Sequence, residues 1–181
     1  MDTTNIETYL NNFGQKVVDD AKANLQSDKG STAVGRSIRF EVVPTDTGFS
    51  TKFYMLDYGE FLDKGVSGNK QKQSFTNYKN STQSSPYSYT SKGPPIDIIS
   101  KWIKKKGIEP KGLGRGRSKN TGQYISGFAY LISKKIKRDG IKSISFFQQP
   151  LGVYYNDLKD NLLKELKLDI ETYLTTFYRP K

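Results

Sequence analysis

Residues 94–144 limit the fold more than any other stretch, because they predict two amphipathic helices separated by a Gly/Arg/Lys loop. Pro94 and Pro95 suit the start of the first helix, since a proline in the first turn gives up no hydrogen bond that the helix needs. Gly107 is a natural stop for this helix. Its apolar residues recur at helical spacing: Ile98, Ile99, Trp102 and Ile103.

The second helix is predicted over residues 122–139 and ends at Gly140. One apolar stripe runs along it: Ile125, Phe128, Ala129, Ile132 and Ile136. Both helices turn basic in their last turn, where cations complement the negative end of the helix dipole. These cations are Lys104, Lys105 and Lys106 in the first helix and Lys134, Lys135, Lys137 and Arg138 in the second.

The net charge of the chain is concentrated in the same stretch. Residues 100–142 contain 13 Lys or Arg against two acids, Glu109 and Asp139, which is a net charge of +11. The rest of the chain has 16 bases and 16 acids and is neutral. The basic surface of this protein is therefore local.

Catalytic sites that depend on Cys or His are excluded, because the chain contains neither residue. Disulfides, thiolate metal sites and the commonest general base are excluded with them. Three carboxylates, Asp57, Glu60 and Asp63, follow a predicted strand and at first sight resemble a metal site for phosphate chemistry. We favour a different interpretation, in which these three carboxylates lie at the edge of a strand and face solvent or a basic neighbour. We expect neither an enzyme nor a protein that holds a cofactor or metal.

Hydrophobic periodicity predicts the remaining elements. A helix over residues 5–26 carries its apolar residues on one face. Residues 37–45 and 49–56 are predicted as two antiparallel strands joined by a turn. Residues 142–148 are predicted as a short third strand and residues 153–177 as a long C-terminal helix. The apolar stripe of that helix is wider than contact with one helix needs: Leu158, Leu162, Leu166, Ile170, Leu174 and Phe177.

The hydrophobic fraction of 34% is low for a self-sufficient globule, whereas the aromatic fraction of 13% is high. Such chains often complete their burial against partners. We expect Trp102 to be largely buried against the stripe of the second helix and the inner face of the 37–56 sheet. Trp102→Ala would then cost roughly 3–5 kcal/mol of stability.

Residues 67–93 are rich in Ser, Asn, Gln, Thr and Lys and show no clear period. A structureless loop of this length is unusual inside a compact domain. Four aromatic residues distinguish it from a plain linker: Phe75, Tyr78, Tyr87 and Tyr89. Two interpretations stay open. The segment is either an arm that becomes ordered against a neighbouring subunit or a solvated, disordered loop.

The basic stretch also has more than one interpretation. Residues 111–119 (KGLGRGRSK) lack the Gly-Lys-Ser/Thr ending of a phosphate loop and resemble Arg/Gly segments that track phosphates; a merely flexible loop is the alternative. Thirteen cations over 43 residues would bind nucleic acid without sequence preference and in a salt-sensitive way. An acidic protein partner, or simply the solvated faces of helices, also fits. The candidate contact residues are Lys104, Lys105, Lys106, Arg115, Arg117 and Lys119.

Several stretches, taken in order, resemble the small tail-completion proteins of tailed bacteriophages, also called head–tail joining or neck proteins. Residues 35–38 (GRSI) resemble that family's entry into the first strand, and residues 58–68 (YGEFLDKGVSG) its passage from the sheet to a long loop. Residues 94–108, which begin PPI and end WIKKKGI, are similar to its helix ending in Trp-Ile-x-x-Lys-Gly. Residues 129–147, which begin AYLISKKI and end FF, resemble its last helix and terminal aromatic strand.

The resemblance covers about residues 5–150 and implies an α+β fold, in which amphipathic helices pack on a small antiparallel sheet. It implies a tail-completion-like domain over residues 1–150, with a long loop or arm at 67–93. An extra C-terminal helix at 151–181 and the Gly/Arg loop depart from the family pattern.

The function that the resemblance implies is structural, without catalytic residues. Such proteins form a ring in the phage neck between portal and tail, around the channel that DNA crosses. The implied partners are further copies of the chain, portal or adaptor and tail proteins, and the genomic DNA in the lumen. The implied location is the virion, preceded by the host cytoplasm during assembly.

Four points stay open at this level: the copy number of the ring, which neck or tail ring it is, whether the basic block faces DNA or protein, and which neighbour the C-terminal helix packs on. The alternative that the residues support is a sequence-nonspecific nucleic-acid-binding protein that uses the basic block at 100–142. No apolar run approaches the length of a membrane span, so no membrane partner is expected.

Overall fold

The computed structural model describes residues 4–29, 32–46, 48–108, 115–117 and 124–177. The chain divides into two compact units. The terminal unit comprises Met1–Asp63, Thr76–Gln83 and Ile144–Lys181, and the central unit comprises Lys64–Phe75 and Ser84–Ser143. This division differs from the expected boundary at residue 150, because the C-terminal helix groups with the N-terminal part of the chain.

The predicted α+β class is confirmed. The helices are α1 (Thr4–Lys29), α2 (Ala33–Ser37), α3 (Tyr58–Lys64), α4 (Ile96–Lys105), α5 (Gly127–Asp139) and α6 (Gln148–Phe177). The strands are β1 (Arg39–Thr45), β2 (Gly48–Tyr54), β3 (Val66–Ser67), β4 (Ser74–Thr76), β5 (Thr82–Ser84), β6 (Arg115–Arg117), β7 (Tyr124–Ser126) and β8 (Gly140–Ile141). In the described part of the chain they form four two-stranded sheets, β1–β2, β3–β8, β4–β5 and β6–β7.

In the terminal unit, α1 packs against the β1–β2 hairpin and lies antiparallel to α6. The predicted helical spacing of its apolar residues brings them to one buried face. Burying each large apolar side chain stabilises the fold by roughly 1.5–3 kcal/mol relative to leaving it exposed. The core of this unit consists of Phe13, Val17, Val18, Ala21, Leu25, Val34, Ile38, Leu62, Phe146 and Phe147.

The two strands predicted from residues 37–56 form the β1–β2 hairpin, paired from Arg39↔Tyr54 to Thr45↔Gly48. Phe53, on β2, directs its ring toward the helical core. The centroid of that ring lies 6.3 Å from the ring of Phe13 and 5.3 Å from the ring of Phe147, both edge to face. The hairpin therefore serves as one wall of the apolar core.

The third strand predicted over residues 142–148 is wrong. Only Gly140 and Ile141 pair, with Ser67 and Val66 of β3, and the chain then turns into α6 at Gln148. The Asp63 carboxylate accepts hydrogen bonds from the backbone N–H groups of Phe147 (2.8 Å) and Gln148 (3.2 Å). Because this carboxylate satisfies the first N–H groups of a helix, it favours a helix start where the sequence pattern suggested a strand.

In the central unit, α4 and α5 pack on each other, as the two predicted amphipathic helices should. Their buried contact is formed by Ile99, Ile103 and Ala129, with Ile96, Phe128, Ile132 and Ile136 packed around them. The predicted start of the second helix at residue 122 is wrong, because Tyr124–Ser126 form β7, and Ile125 pairs with Gly116 of β6 instead of joining the helical stripe. Gly107 and Gly140 follow the two helices with φ of 63° and 81°. Glycine adopts this left-handed backbone conformation at the end of a helix with little strain, whereas other residues rarely do. Both predicted helix ends are therefore confirmed.

The expectation that Trp102 is largely buried is wrong, because 47% of its surface is exposed. Successive residues of a helix are about 100° apart, so Ile99 and Ile103 share one face, whereas Trp102 points about 100° away from Ile103. The face that α5 covers is narrower than the apolar stripe of α4. Trp102 and Ile98 therefore remain on the solvent side.

Candidate interaction surfaces

The apolar stripe of α6 winds away from α1. Each step of four residues advances the stripe by about 40° around the helix. Leu158 packs against the core, whereas Leu174, four turns later, is 50% exposed. Asp169, which is 2% exposed, occupies the position that faces α1 near the end of the contact. Ile170 and Leu174 of the stripe and the adjacent Tyr173 are exposed, and we call these three residues the α6 ridge.

The α6 ridge extends past the first turn of α1. The Asp169 carboxylate accepts hydrogen bonds from the backbone N–H of Ile6 (3.1 Å) and from the side-chain amide of Asn5 (2.8 Å). These bonds fix Asp169 at the level where α1 begins. The remaining residues of α6, 170–177, then add about 12 Å of helix beyond that level.

A groove of about 640 Å³ lies beside the ridge, between α1, β2 and α6 of the terminal unit. Its walls are almost entirely aliphatic and aromatic. They include Ile6, Leu10, Phe49, Phe53, Leu158 and Leu162. We call it the apolar groove. Leu163 and Leu166 border it on the side of the ridge, so groove and ridge form one continuous apolar surface.

A second, basic groove of about 410 Å³ lies in the central unit, where the loop after β3 meets the end of α5. The backbone N–H groups of Asn69 and Lys70 donate to the carbonyls of Lys137 (2.9 Å) and Arg138 (3.0 Å). These bonds satisfy the last carbonyls of α5 and place Lys70 beside the basic end of the helix. The groove is lined by Asn69, Lys70, Leu131, Lys134, Lys135, Lys137 and Arg138.

Three of the cations in the basic groove already have partners within the chain. The Arg138 guanidinium donates to both carboxylate oxygens of Asp139 (2.6 and 2.8 Å), which raises the pKa of Arg138 and lowers the pKa of Asp139. Lys137 Nζ donates to the Ser91 carbonyl (2.6 Å), and Lys134 Nζ lies 5.4 Å from the Tyr130 ring centre. Lys70 and Lys135 are exposed and extend the positive surface.

The six predicted contact residues are only partly brought together. Lys104, Lys105 and Lys106 are exposed at the end of α4. Arg115 and Arg117 lie on β6, which pairs with β7, but their side chains are outside the described residues. Lys119 is outside them altogether. Lys70 was not predicted, because it lies in a polar segment far from the basic stretch in sequence.

The 67–93 segment is ordered on its own chain, so the interpretation as a disordered loop is wrong. Phe75 is buried. Ser67 donates its backbone N–H to the Tyr87 carbonyl and accepts from the Tyr89 N–H, both at 2.8 Å. The Tyr78 ring lies 5.2 Å from the ring of Tyr155 on α6, edge to face.

The three carboxylates after β2 do not form a site. Asp63 is buried and caps α6, so the expectation that it faces solvent or a basic neighbour is wrong. Asp57 and Glu60 are exposed. Across the residues that the structure describes, no three carboxylates converge in a way that could hold a metal ion. Over the same residues, no helix is long and apolar enough to cross a bilayer.

Comparisons with protein-family models, with curated proteins and with solved structures find no match to this chain.

Proposed function

We propose that this chain is a structural subunit of a ring in the neck of a tailed bacteriophage, between portal and tail and around the DNA channel. It acts as a building block and not as an enzyme. Its partners are further copies of itself, portal or adaptor and tail proteins, and the DNA that passes through the lumen. It works in the virion, after assembly in the host cytoplasm.

The observation that carries the proposal is the apolar surface that the terminal unit leaves uncovered. The α6 ridge and the apolar groove adjoin on one side of that unit, and Leu163 between them is 69% exposed. Contiguous apolar surface of this kind marks contacts with other proteins. The ordered resemblance of residues 35–38, 58–68, 94–108 and 129–147 to neck proteins suggests which assembly supplies those contacts.

The test is the position of the chain in a particle. Virions that carry an epitope on this chain should bind antibody at the junction of head and tail. Averaged images along the axis should show the labelled chain in a closed ring. Label at the tail tip or on the capsid surface, or virions that lack the chain, would refute the proposal.

The second candidate is sequence-nonspecific nucleic-acid binding, which the exposed lysines of α4 and the basic groove favour. A protein that binds nucleic acid as a single chain should bind random duplex DNA tightly at low salt. The logarithm of its affinity should fall with the logarithm of the salt concentration, with a slope of about −0.9 for each phosphate contact. A ring subunit should bind weakly as a single chain, because only the ring concentrates the positive field.

A matched pair of variants separates the two candidates. Replacing Lys104, Lys105 and Lys106 by Gln removes three charges from the basic surface, and replacing exposed Lys16, Lys52 and Lys164 by Gln removes three elsewhere. Under the ring proposal, the first variant folds normally but impairs particle assembly or genome retention, whereas the second does neither. Submicromolar DNA binding by the single chain at physiological salt, lost only in the first variant while assembly stays normal, would favour the binder.

A further inference from the structure

We propose that the solvent side of α4 binds single-stranded nucleic acid, with one base stacked on the indole ring of Trp102 and adjacent phosphates bound by lysines. This surface consists of four exposed residues, Ile98, Lys101, Trp102 and Lys105, and we call it the α4 face. It lies within the central unit of a single chain, so the inference goes beyond the proposed ring and does not depend on it.

The α4 face exposes apolar side chains that the buried contact of the helix does not use. Ile99 and Ile103 pack α4 against α5. Trp102 is 47% exposed, and Ile98, one turn earlier, is 59% exposed. Apolar surface left in water costs free energy that contact with a ligand would recover. A ligand can therefore cover Trp102 without disturbing the packing of α4 on α5.

Lysines accompany the apolar residues along the α4 face. Ile98 and Trp102 form one row, and Lys101 and Lys105 form a second row about 60° around the helix. The two residues of each row are about 6 Å apart along the helix axis. The helix contains one acid, Asp97, in its first turn. An apolar row thus runs beside a positive row, as a strand with bases on one edge and phosphates on the other requires.

The exposed indole favours a single strand over a duplex. Every base has a π face, so an aromatic side chain can stack on any base that is not already stacked between its neighbours. The bases of a duplex are stacked on one another, and lysines reach only its phosphates without reading the bases. A duplex would therefore engage Lys101 and Lys105 but leave Trp102 uncovered.

The α4 face is too narrow to favour the surface of a membrane. A helix that lies in a lipid interface buries one broad apolar face, and its binding strength grows with the apolar area that it buries. The α4 face offers two apolar side chains, and Lys105 points only about 20° away from Ile98. The close alternation of lysine and apolar side chains suits a strand of bases and phosphates better than a lipid layer.

Trp102 is the single tryptophan of the chain, so the indole fluorescence reports this site alone. The full-length protein is titrated at low salt with oligothymidylate of about 12 nucleotides, which lies within the roughly 4–16 nucleotides that single-strand-binding folds cover. The oligonucleotide should quench Trp102 and protect it from iodide. A duplex of the same length and polyglutamate should do neither. No quenching by the single strand, or equal quenching by the duplex or polyglutamate, would overturn the inference.

Substitutions of Trp102 separate stacking from a merely apolar contact. Trp102→Ala should weaken binding of labelled oligothymidylate, measured by fluorescence anisotropy, by about 5- to 150-fold, as expected for the loss of one base–aromatic stack. Trp102→Phe keeps a ring and should recover most of the affinity. Trp102→Leu keeps apolar surface without a ring and should bind as weakly as Trp102→Ala. A leucine variant that binds as tightly as the natural chain would rule out stacking.

The lysine row has its own test. Lys101→Gln with Lys105→Gln removes two phosphate contacts, so the slope of log affinity for the single strand against log salt should become shallower by about 1.4. Lys16→Gln with Lys52→Gln is the matched control, since both residues are exposed and lie in the terminal unit, and its slope should not change. Equal changes in the two variants would show that the strand does not follow the α4 face.

Vesicles of anionic phosphatidylglycerol test the competing occupant. They should leave the emission maximum of Trp102 unchanged. A blue shift with vesicles, together with no quenching by oligothymidylate, would assign the α4 face to a lipid surface and overturn the inference.

The inference and the proposed function can fail separately. A labelled ring at the neck, formed by a chain whose Trp102 is not quenched by oligothymidylate, would refute the stacking site and leave the ring standing. Specific quenching in a chain whose label lies on the capsid or at the tail tip would refute the ring and leave the stacking site standing.

Discussion

Asp169 and Asn5 lie 164 residues apart in sequence and are joined through one carboxylate oxygen. Asp169 Oδ1 accepts from the backbone N–H of Asn5 at 3.2 Å and from its side-chain amide at 2.8 Å, while Oδ2 accepts from the Ile6 N–H at 3.1 Å. A carboxylate of α6 therefore caps the start of α1. This pairing sets where the two helices align and where the α6 ridge begins.

Asp169→Ala should lower the free energy of unfolding by about 1–2 kcal/mol, because it removes the acceptor for two backbone N–H groups at a helix start. Urea unfolding followed by circular dichroism measures the change. Asp160→Ala, at an exposed position of the same helix, is the control and should change stability by less than about 0.5 kcal/mol. Equal effects of the two variants would contradict the capping role.

Asp63→Ala should also cost about 1–3 kcal/mol, since Asp63 is buried and the N–H groups of Phe147 and Gln148 would lose their acceptor. Asp63→Asn keeps an oxygen in the same place and should recover part of that loss. Hydrogen exchange of the Phe147 and Gln148 amides reports the cap itself. If both amides stay as protected in Asp63→Ala as in the natural chain, the carboxylate does not cap α6.

Trp102 and Ile103 are neighbours in sequence with opposite environments. Trp102→Ala should cost less than about 1 kcal/mol, because nearly half of the side chain is already in water. Ile103→Ala should cost about 2–5 kcal/mol, because Ile103 is buried between α4 and α5. The fluorescence of Trp102 in the natural chain should be readily quenched by iodide. A larger loss from Trp102→Ala than from Ile103→Ala would reverse this assignment.

Tyr154 should make stability fall at high pH. Its hydroxyl donates to Asp20 Oδ2 at 2.7 Å, and this bond, together with partial burial, raises the pKa of Tyr154 above the usual value of about 10. A group whose pKa is raised in the folded state stabilises the fold below its unfolded pKa and loses that effect as the pH rises through its folded pKa.

Tyr154→Phe removes that contribution. The natural chain should therefore be the more stable of the two at pH 8, and the difference in urea midpoint should shrink above pH 10. The two proteins differ only at this position, so the comparison isolates Tyr154. A difference that stays constant through this range would show that Tyr154 does not titrate with the raised pKa.

The sequence alone determined the four longer helices, α1, α4, α5 and α6, and the hairpin, because each of these rests on local periodicity and on stop residues. The short helices α2 and α3 were not predicted. The 3.6-residue spacing in α1 and α5, the alternation in β1 and the glycines after α4 and α5 all carry their information within one turn or one strand. The sequence also showed the local concentration of positive charge, because counting the charged residues along the chain is enough to find it.

Only the tertiary structure decided which side of each helix is covered. Trp102 belongs to an apolar stripe by spacing, but α5 covers the side of Ile99 and Ile103 and leaves it in water. The α6 stripe appeared as one face, yet its steps of four residues carry it around the helix until Asp169 holds the α1 side and Leu174 faces solvent. Helical spacing shows which residues share a face, whereas the partner that buries the face comes from residues far away in sequence.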